Sequence, residues 1–238
     1  MPRGYLSSEK NMIALGRMHK VSSVHKFGGR TGILNGSAQT IWDGTGVYPW
    51  GSFGWSDIST PLTVTGASDA GKSITIFGLD GNWDEVSETI VVGASSTVLF
   101  KRVNRAYVEG SDVNAGDISV TRGAVEVLKI SEGKGQTLMA TYTIPRNHTG
   151  LLQSIEASAS ADKDMKIEMY IRNSETDTFR IQHIGNVFRG QYSYEFAIPL
   201  ALPATADIDV RVIGYSVDTN AQVACSFDII NYEEDTDY

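Results

Sequence analysis

Cysteine is almost missing from this chain: there is one, Cys225, in 238 residues. A lone thiol excludes a disulfide framework and any multi-cysteine metal site. It stands in Gln222-Val223-Ala224-Cys225-Ser226-Phe227-Asp228-Ile229, where Val223, Cys225, Phe227 and Ile229 alternate with smaller or polar residues. That pattern predicts a buried, inert thiol rather than a nucleophile. Long hydrophobic runs are missing as well: no stretch of about 18 apolar residues occurs, which excludes a membrane-spanning helix. The opening MPRGYLSSEKNMIALGRMHK has positive charge but no continuous apolar stretch, which argues against a secretory signal. Histidine is sparse. His19, His25, His148 and His183 are dispersed and match no metal-ligand spacing, and His183 falls on an apolar strand face where a hydrogen-bonded core histidine is expected. No G-x-S-x-G elbow exists. No metal, cofactor or enzymatic activity is expected.

Acids are nearly missing from the first thirty residues. Arg3, Lys10, Arg17, Lys20, Lys26 and Arg30 stand there against Glu9 alone, six basic groups to one acid, about +5. The other 208 residues hold fourteen basic groups against twenty-seven acids, about −13. Residues 1–36 also carry Gly4, Gly16, Gly28, Gly29, Gly32 and Gly36 and only weak helical spacing in Met12, Leu15 and Met18. They read as an extended or partly helical basic arm, and thirty residues fully stretched reach on the order of 100 Å. The plain reading of the arm and of the acidic tail 231–238 is a pair of solvated ends. The functional reading is an arm that docks on acidic protein surface, in a manner weakened by salt. The overall charge of −8 disfavours nucleic acid as the partner of the body.

What is abundant is β-pattern. A chain of this length buries roughly 70% of its unfolded surface, so core size is no limitation. Short β-runs at Leu62–Thr65, Ser73–Phe77, Glu85–Val92, Thr97–Val108, Asp117–Thr121 and Ala124–Ile130 alternate with turn signals, and Leu79-Asp80-Gly81-Asn82 predicts a hairpin turn. Ser131–Gln136 is polar and Gly-bearing, a candidate boundary. Beyond it Leu138–Ile144, Leu151–Ala159, Met165–Arg172, Phe179–His183, Tyr194–Leu200, Ile208–Ile213 and Val223–Ile230 show period-two alternation. The expected fold is all-β: an arm (1–36), a β-rich module (37–131), an antiparallel sandwich (132–230) of jelly-roll or immunoglobulin-like type, and the tail (231–238).

Gly66-Ala67-Ser68-Asp69-Ala70-Gly71-Lys72-Ser73 satisfies the phosphate-binding pattern G-x-x-x-x-G-K-[ST]. That chemistry needs a helix after the glycines to aim its amides at phosphate. Ile74-Thr75-Ile76-Phe77-Gly78 is β-branched and alternating, so a hairpin loop is expected instead. The acidic pairs Asp84/Glu85 and Asp162/Asp164 sit beside turns, where solvated carboxylates are expected in preference to glycosidase or calcium roles. In IWDGTGVYPWGSFGW, the rings Trp42, Tyr48, Trp50, Phe53 and Trp55 alternate with Gly and Pro. They fit three uses: a glycan-stacking surface, an interface between subunits, or core. Trp42, Tyr48, Trp50 and Trp55 therefore join the six cations as candidate partner-binding residues.

Five segments carry a family resemblance: Trp42–Trp50 (WDGTGVYPW), Gly78–Thr89 (GLDGNWDEVSET), Arg102–Val108 (RVNRAYV), Asn114–Ile118 (NAGDI) and Gly135–Pro145 (GQTLMATYTIP). Over roughly 38–230 the chain resembles uncharacterised virion structural proteins of tailed bacteriophages, marine and cyanobacterial ones notably. The resemblance implies a particle component, without a catalytic motif to carry over, and the opening residues, lacking a secretory pattern, lead to the expectation that it is made in a host cytoplasm. Among such components it is similar to capsid cement or decoration proteins. The implied partners are the major capsid protein or another virion protein and further copies of the chain, a homotrimer by preference; charge and the lack of apolar runs leave no nucleic acid and no membrane among the expected partners. A tail, collar or baseplate component and a carbohydrate- or receptor-binding module are the alternatives.

Overall fold

The computed structural model describes residues 9–53, 60–160, 163–173, 176–188, 190–215 and 220–234. Numbered in chain order, they form one short helix, α1 (Glu9–Ala14), and fifteen strands. β1 (Val21–Thr31), β15 (Gln222–Glu233), β10 (His148–Ala159) and β13 (Gln191–Leu202) make one antiparallel sheet in that order. β12 (Thr178–Val187), β11 (Met165–Asn173) and β14 (Asp207–Gly214) make a second, whose far edge is shared by β2 (Gln39–Thr40) and β9 (Thr141–Thr143). Because strand side chains alternate between faces, every second residue enters the core. Leu152, Ile155, Val223, Cys225, Phe227 and Ile229 meet Met165, Ile167, Met169, Ile208, Val210 and Val212 there.

β2 and β9 are one interrupted strand. Ile41 N donates to Val210 O at 2.9 Å, Val210 N donates to Ala140 O at 3.2 Å, and Ala140 N donates to Ile41 O at 2.8 Å. The chain leaves the sandwich at Trp42 and returns at Met139, and these two residues bridge each other antiparallel. Between them lies a module with its own core, which includes Leu62, Ile74, Ile76, Phe100, Ile118 and Leu128. It is built from β3 (Leu62–Thr65), β7 (Ile118–Arg122) and β8 (Val125–Ile130) in one sheet and β5 (Glu85–Val91), β4 (Ser73–Leu79) and β6 (Arg102–Val108) in the other. Residues 93–96 hydrogen-bond to β3, and residues 135–137 to β6, at the margins between the sheets. The change of core thus falls at Met139/Ala140, beyond the polar Ser131–Gln136 segment.

Residues 21–31 depart from the expected free arm. β1 pairs with β15 from Val21↔Tyr232 to Thr31↔Gln222 and is a full edge strand of the sandwich. Val-Ser-Ser-Val-His-Lys-Phe-Gly-Gly-Arg-Thr shows no sustained apolar alternation because, after Val24, its inward positions are held by Lys26, Gly28 and Arg30. Gly28 is required by close approach: a Cβ there would collide with the backbone of Ala140 and Ile41. The β4–β5 hairpin forms as predicted, with Asp80 Oδ1 accepting from Asn82 N at 2.8 Å and Asp84 N at 3.0 Å. Its positive φ belongs to Trp83 (68°) rather than to the Asp-Gly or Gly-Asn pair.

Candidate interaction site

The six predicted cations separate. Arg3 lies outside the described residues. Lys10 and Arg17 are exposed and Lys20 is half-buried at a positive φ of 58°. Lys26 and Arg30, by contrast, are 6% and 9% exposed. Lys26 Nζ donates to Asn104 O of β6, so it ties β1 to the inserted module. Burial, with the Arg105 charge adding to it, lowers the Lys26 amine to about 7. Arg30 Nη1 donates to Thr40 O at 3.0 Å and Gly44 O at 3.1 Å, bracing the point where the insertion departs. Charge alone marked these two as docking groups. The structure makes them internal braces, since a cation on the inner side of an edge strand finds backbone carbonyls there.

The aromatic cluster is also internal. Trp42, Tyr48 and Trp50 are 3%, 2% and 5% exposed, so their faces are closed to a glycan. Trp42 meets Tyr48 edge-on at 5.1 Å, Tyr48 meets Trp50 at 4.7 Å, and Trp50 meets Phe179 of β12 at 5.6 Å. Of the three uses these rings fit, core is the one they serve, at the seam between module and sandwich. Trp55 lies outside the described residues.

That seam is charged where β14 turns its outer face toward the module. Asp207, fully buried, accepts from Arg102 Nε at 3.0 Å, Arg102 Nη2 at 3.1 Å, Arg172 Nε at 2.6 Å and Thr143 Oγ1 at 2.5 Å. The Arg102 guanidinium lies 4.9 Å from the centre of the Trp83 ring. Two residues on, Asp209 accepts from Thr40 Oγ1 at 2.7 Å, Trp50 Nε1 at 3.1 Å and Arg211 Nε at 2.8 Å. Burial pushes the Asp209 carboxyl up, and the Arg211 charge with the Thr40 and Trp50 donors pulls it part of the way back. The donors named here come from both the module and the sandwich and all find acceptors within the chain, so the cluster joins two parts of one body.

The phosphate-loop look-alike is a structural turn. Residues 67–69 form a single 3-10 turn, and β4 follows directly. Asp69 accepts from Ala115 N at 2.7 Å and Gly116 N at 2.9 Å, while Lys72 Nζ lies 3.0 Å from Asp69 Oδ1 and donates to Val113 O at 2.6 Å. The lysine is spent within the fold. Cys225 is buried as its alternation predicts, and burial pushes its thiol up to about 12. Among the described residues no group of three or more His, Cys, Asp or Glu is placed to hold a metal ion.

Exposed surface of a different kind lies elsewhere. α1 buries none of its six residues. A cleft of about 500 Å³ beside it is lined by Lys10, Ile13, Glu156, Glu195 and Asp228, and Lys10 Nζ stands 3.9 Å from Glu195. The flank of the sandwich where β12 and β13 end their sheets is open. His183 Nε2 is 2.6 Å from Tyr192 Oη, and the imidazole lies tilted against Tyr194 and Phe196, with ring centres 4.7 Å and 5.3 Å away. Ile181, Ile184, Phe188, Tyr194 and Ile198 are exposed, the last at 86%. Alternation had placed Phe179, Ile181 and His183 on one face. A bulge at Gln182 changes that: Ile181 lies opposite Tyr170 on the outer face and His183 opposite Met169 on the inner one.

The chain matches no protein-family model and no curated protein. Among solved structures it is similar to that of the infectious bursal disease virus Gt strain, with 5% identity over 90% of this chain and 77% of that chain and a TM-score of 0.19. The Gx strain structure gives 7% identity over 90% and 76%, with a TM-score of 0.19. The VP2 subviral particle of the same virus gives 7% identity over 92% and 78%, with a TM-score of 0.17. Likeness at this level carries no argument about fold or role.

Proposed function

We propose that this chain is a non-enzymatic structural protein of a tailed-phage virion, a capsid cement protein that binds the assembled head. The observation that carries the reading is the placement of α1. A helix of six residues is too short to be stable by itself and takes its order from what it touches. Here none of its residues is fully buried, Met12 and Ile13 being partly covered beside β1, and it carries Lys10 and precedes Arg17 on the outside of the body, whereas Lys26 and Arg30 are turned inward. A neighbouring acidic surface would add to that partial contact, and a ligand that binds only the assembled shell stabilises that shell by its binding energy.

The body suits the task. Counting β2 and β9 as one strand, its eight sandwich strands run 1-8-3-6 in one sheet and 5-4-7-2 in the other, an order that supports a jelly roll over an immunoglobulin-like arrangement. Counting copies in purified particles tests the reading. Copies in proportion to shell subunits support cement, a single ring's worth moves the protein to tail, collar or baseplate, and absence from particles overturns the proposal. The carbohydrate-binding alternative loses its stacking rings with the burial of Trp42, Tyr48 and Trp50.

A further inference from the structure

We infer that the open β12–β13 flank is the surface through which copies of this chain associate with one another. The inference rests on the reading of the protein as an assembly component and names one of its contacts.

The two flanks of the sandwich are built differently. On one, Gly28 packs on Ala140 and Ile41, Gly29 N donates to Leu138 O at 3.5 Å, and the inserted module covers what remains. On the other, β12 and β13 are terminal strands of different sheets. Between Thr178 and Ile184, and between Gln191 and Ala201, no residue is buried. Among the described residues the His183, Tyr192, Tyr194 and Phe196 rings and Leu200 cover the core there, with Ile184, Phe188 and Ile198 standing outward.

Strand-to-strand addition is not what this edge is made for. Four residues of β13, Phe196-Ala197-Ile198-Pro199, lie opposite Gln153 alone, and Pro199 has no N–H to give. Bulges and proline on an edge block further pairing. Docking therefore runs through side chains, with Ile198 on the crest of the bulge.

Charge selects the occupant. The chain carries −8 overall, so two copies repel through most of their surface. β12 and β13 together hold one cation, Arg180, and one anion, Glu195, with His183 as the other titratable group on the flank besides its tyrosines. This is the face on which a like copy meets little repulsion. Its size also fits. A twelve-residue strand is roughly 40 Å long, and two sheet edges with their side chains are roughly 20 Å across, on the order of 800 Å², what a standard interface takes from one partner.

The test is sedimentation velocity on the full chain across a wide concentration range, with Ile198→Asp and Ile184→Asp as variants. Both side chains are more than half exposed, so the fold should persist, as an unchanged circular dichroism melt would verify. The wild type should self-associate, and each variant should weaken association by about tenfold or more. In an Ile198→Cys variant a short bis-maleimide should link copies, since Cys225 is buried. A monomeric wild type, or variants that associate unchanged, overturns the inference. If the wild type is monomeric while Ile198→Asp abolishes binding to particles, the flank holds a different protein and the virion reading survives alone. Self-association without any presence in particles overturns the virion reading and leaves this one standing.

Discussion

Arg102 and Asp207 face each other through two parallel hydrogen bonds, Nε to Oδ1 at 3.0 Å and Nη2 to Oδ2 at 3.1 Å, with side chains 1% and 0% exposed. One belongs to the inserted module and the other to the sandwich, so the pair fixes how the two parts sit. Arg172 completes the group from the sandwich side. Breaking such a cluster by removing one member leaves uncompensated charge in a dry place. Asp207→Ala should therefore cost about 3–5 kcal/mol in a urea titration, a large share of a typical domain's stability.

Lys26 gives the protein an unusual pH dependence. It lines a cleft of about 380 Å³ between β1 and the β4–β6 sheet, faced by Arg105 from β6, Glu85 from β5, Tyr142 from β9 and its neighbour His25. Its amine is lowered to about 7 in the fold, whereas an unfolded lysine titrates near 10.4. Below about pH 7 both states hold the proton, and the penalty of a buried ammonium is fully present. Between about 7 and 10 the unfolded chain binds more protons than the native one, so this group makes stability rise with pH. Lys26→Met should flatten that rise and be relatively more stable near pH 6. A wild type and variant with parallel pH profiles would contradict the assignment.

The place at which the N-terminus can be cut is set by β1. Removing residues 1–17 takes away α1 and the exposed cations and should leave the melting transition nearly unchanged while abolishing binding to particles. Removing residues 1–31 strips an edge strand together with the Lys26 and Arg30 braces, and that form should fail to fold cooperatively. Similar melts for the two truncations would show that β1 contributes nothing.

At the look-alike phosphate loop, ATP should produce no shift in melting temperature, with or without Lys72→Ala. Asp69→Ala should cost about 1–3 kcal/mol, because the Ala115 and Gly116 amides lose their acceptor. Nucleotide binding that depends on Lys72 would refute the structural assignment.

Trp50→Ala should destabilise by about 3–5 kcal/mol through loss of ring packing and of the donor to Asp209. Chemical denaturation measures this directly. The same burial means that a loss of glycan binding in that variant would report unfolding rather than a sugar site, so glycan arrays are informative only with the unaltered protein.

Strands whose inner face is aliphatic were legible. Leu62–Thr65 is β3 as read, and the periodicities of Met165–Arg172 and Ile208–Ile213 mark β11 and β14 within a residue at each end. Three things were hidden, each for a physical reason. β1 was hidden because Gly28, Lys26 and Arg30 occupy positions that pattern-reading expects to be apolar. The insertion was hidden because its two ends, Ile41 and Ala140, are joined by a hydrogen bond that no local sequence signal records. The open flank was hidden because Ile181, Tyr194 and Ile198 read as core alternation, whereas a bulge in each strand and the terminal place of both strands in their sheets leave them uncovered. Charge was legible only as a sum: about +5 in thirty residues did not disclose that two of its six cations are structural.

Attachment to the shell is tested by co-sedimentation of the purified full-length protein with assembled heads and, separately, with unassembled shell subunits. Saturable binding to heads that weakens with salt and requires residues 1–17 is expected, with little binding to free subunits. Equal binding to free subunits, or no binding to heads at low salt, would contradict the cement reading.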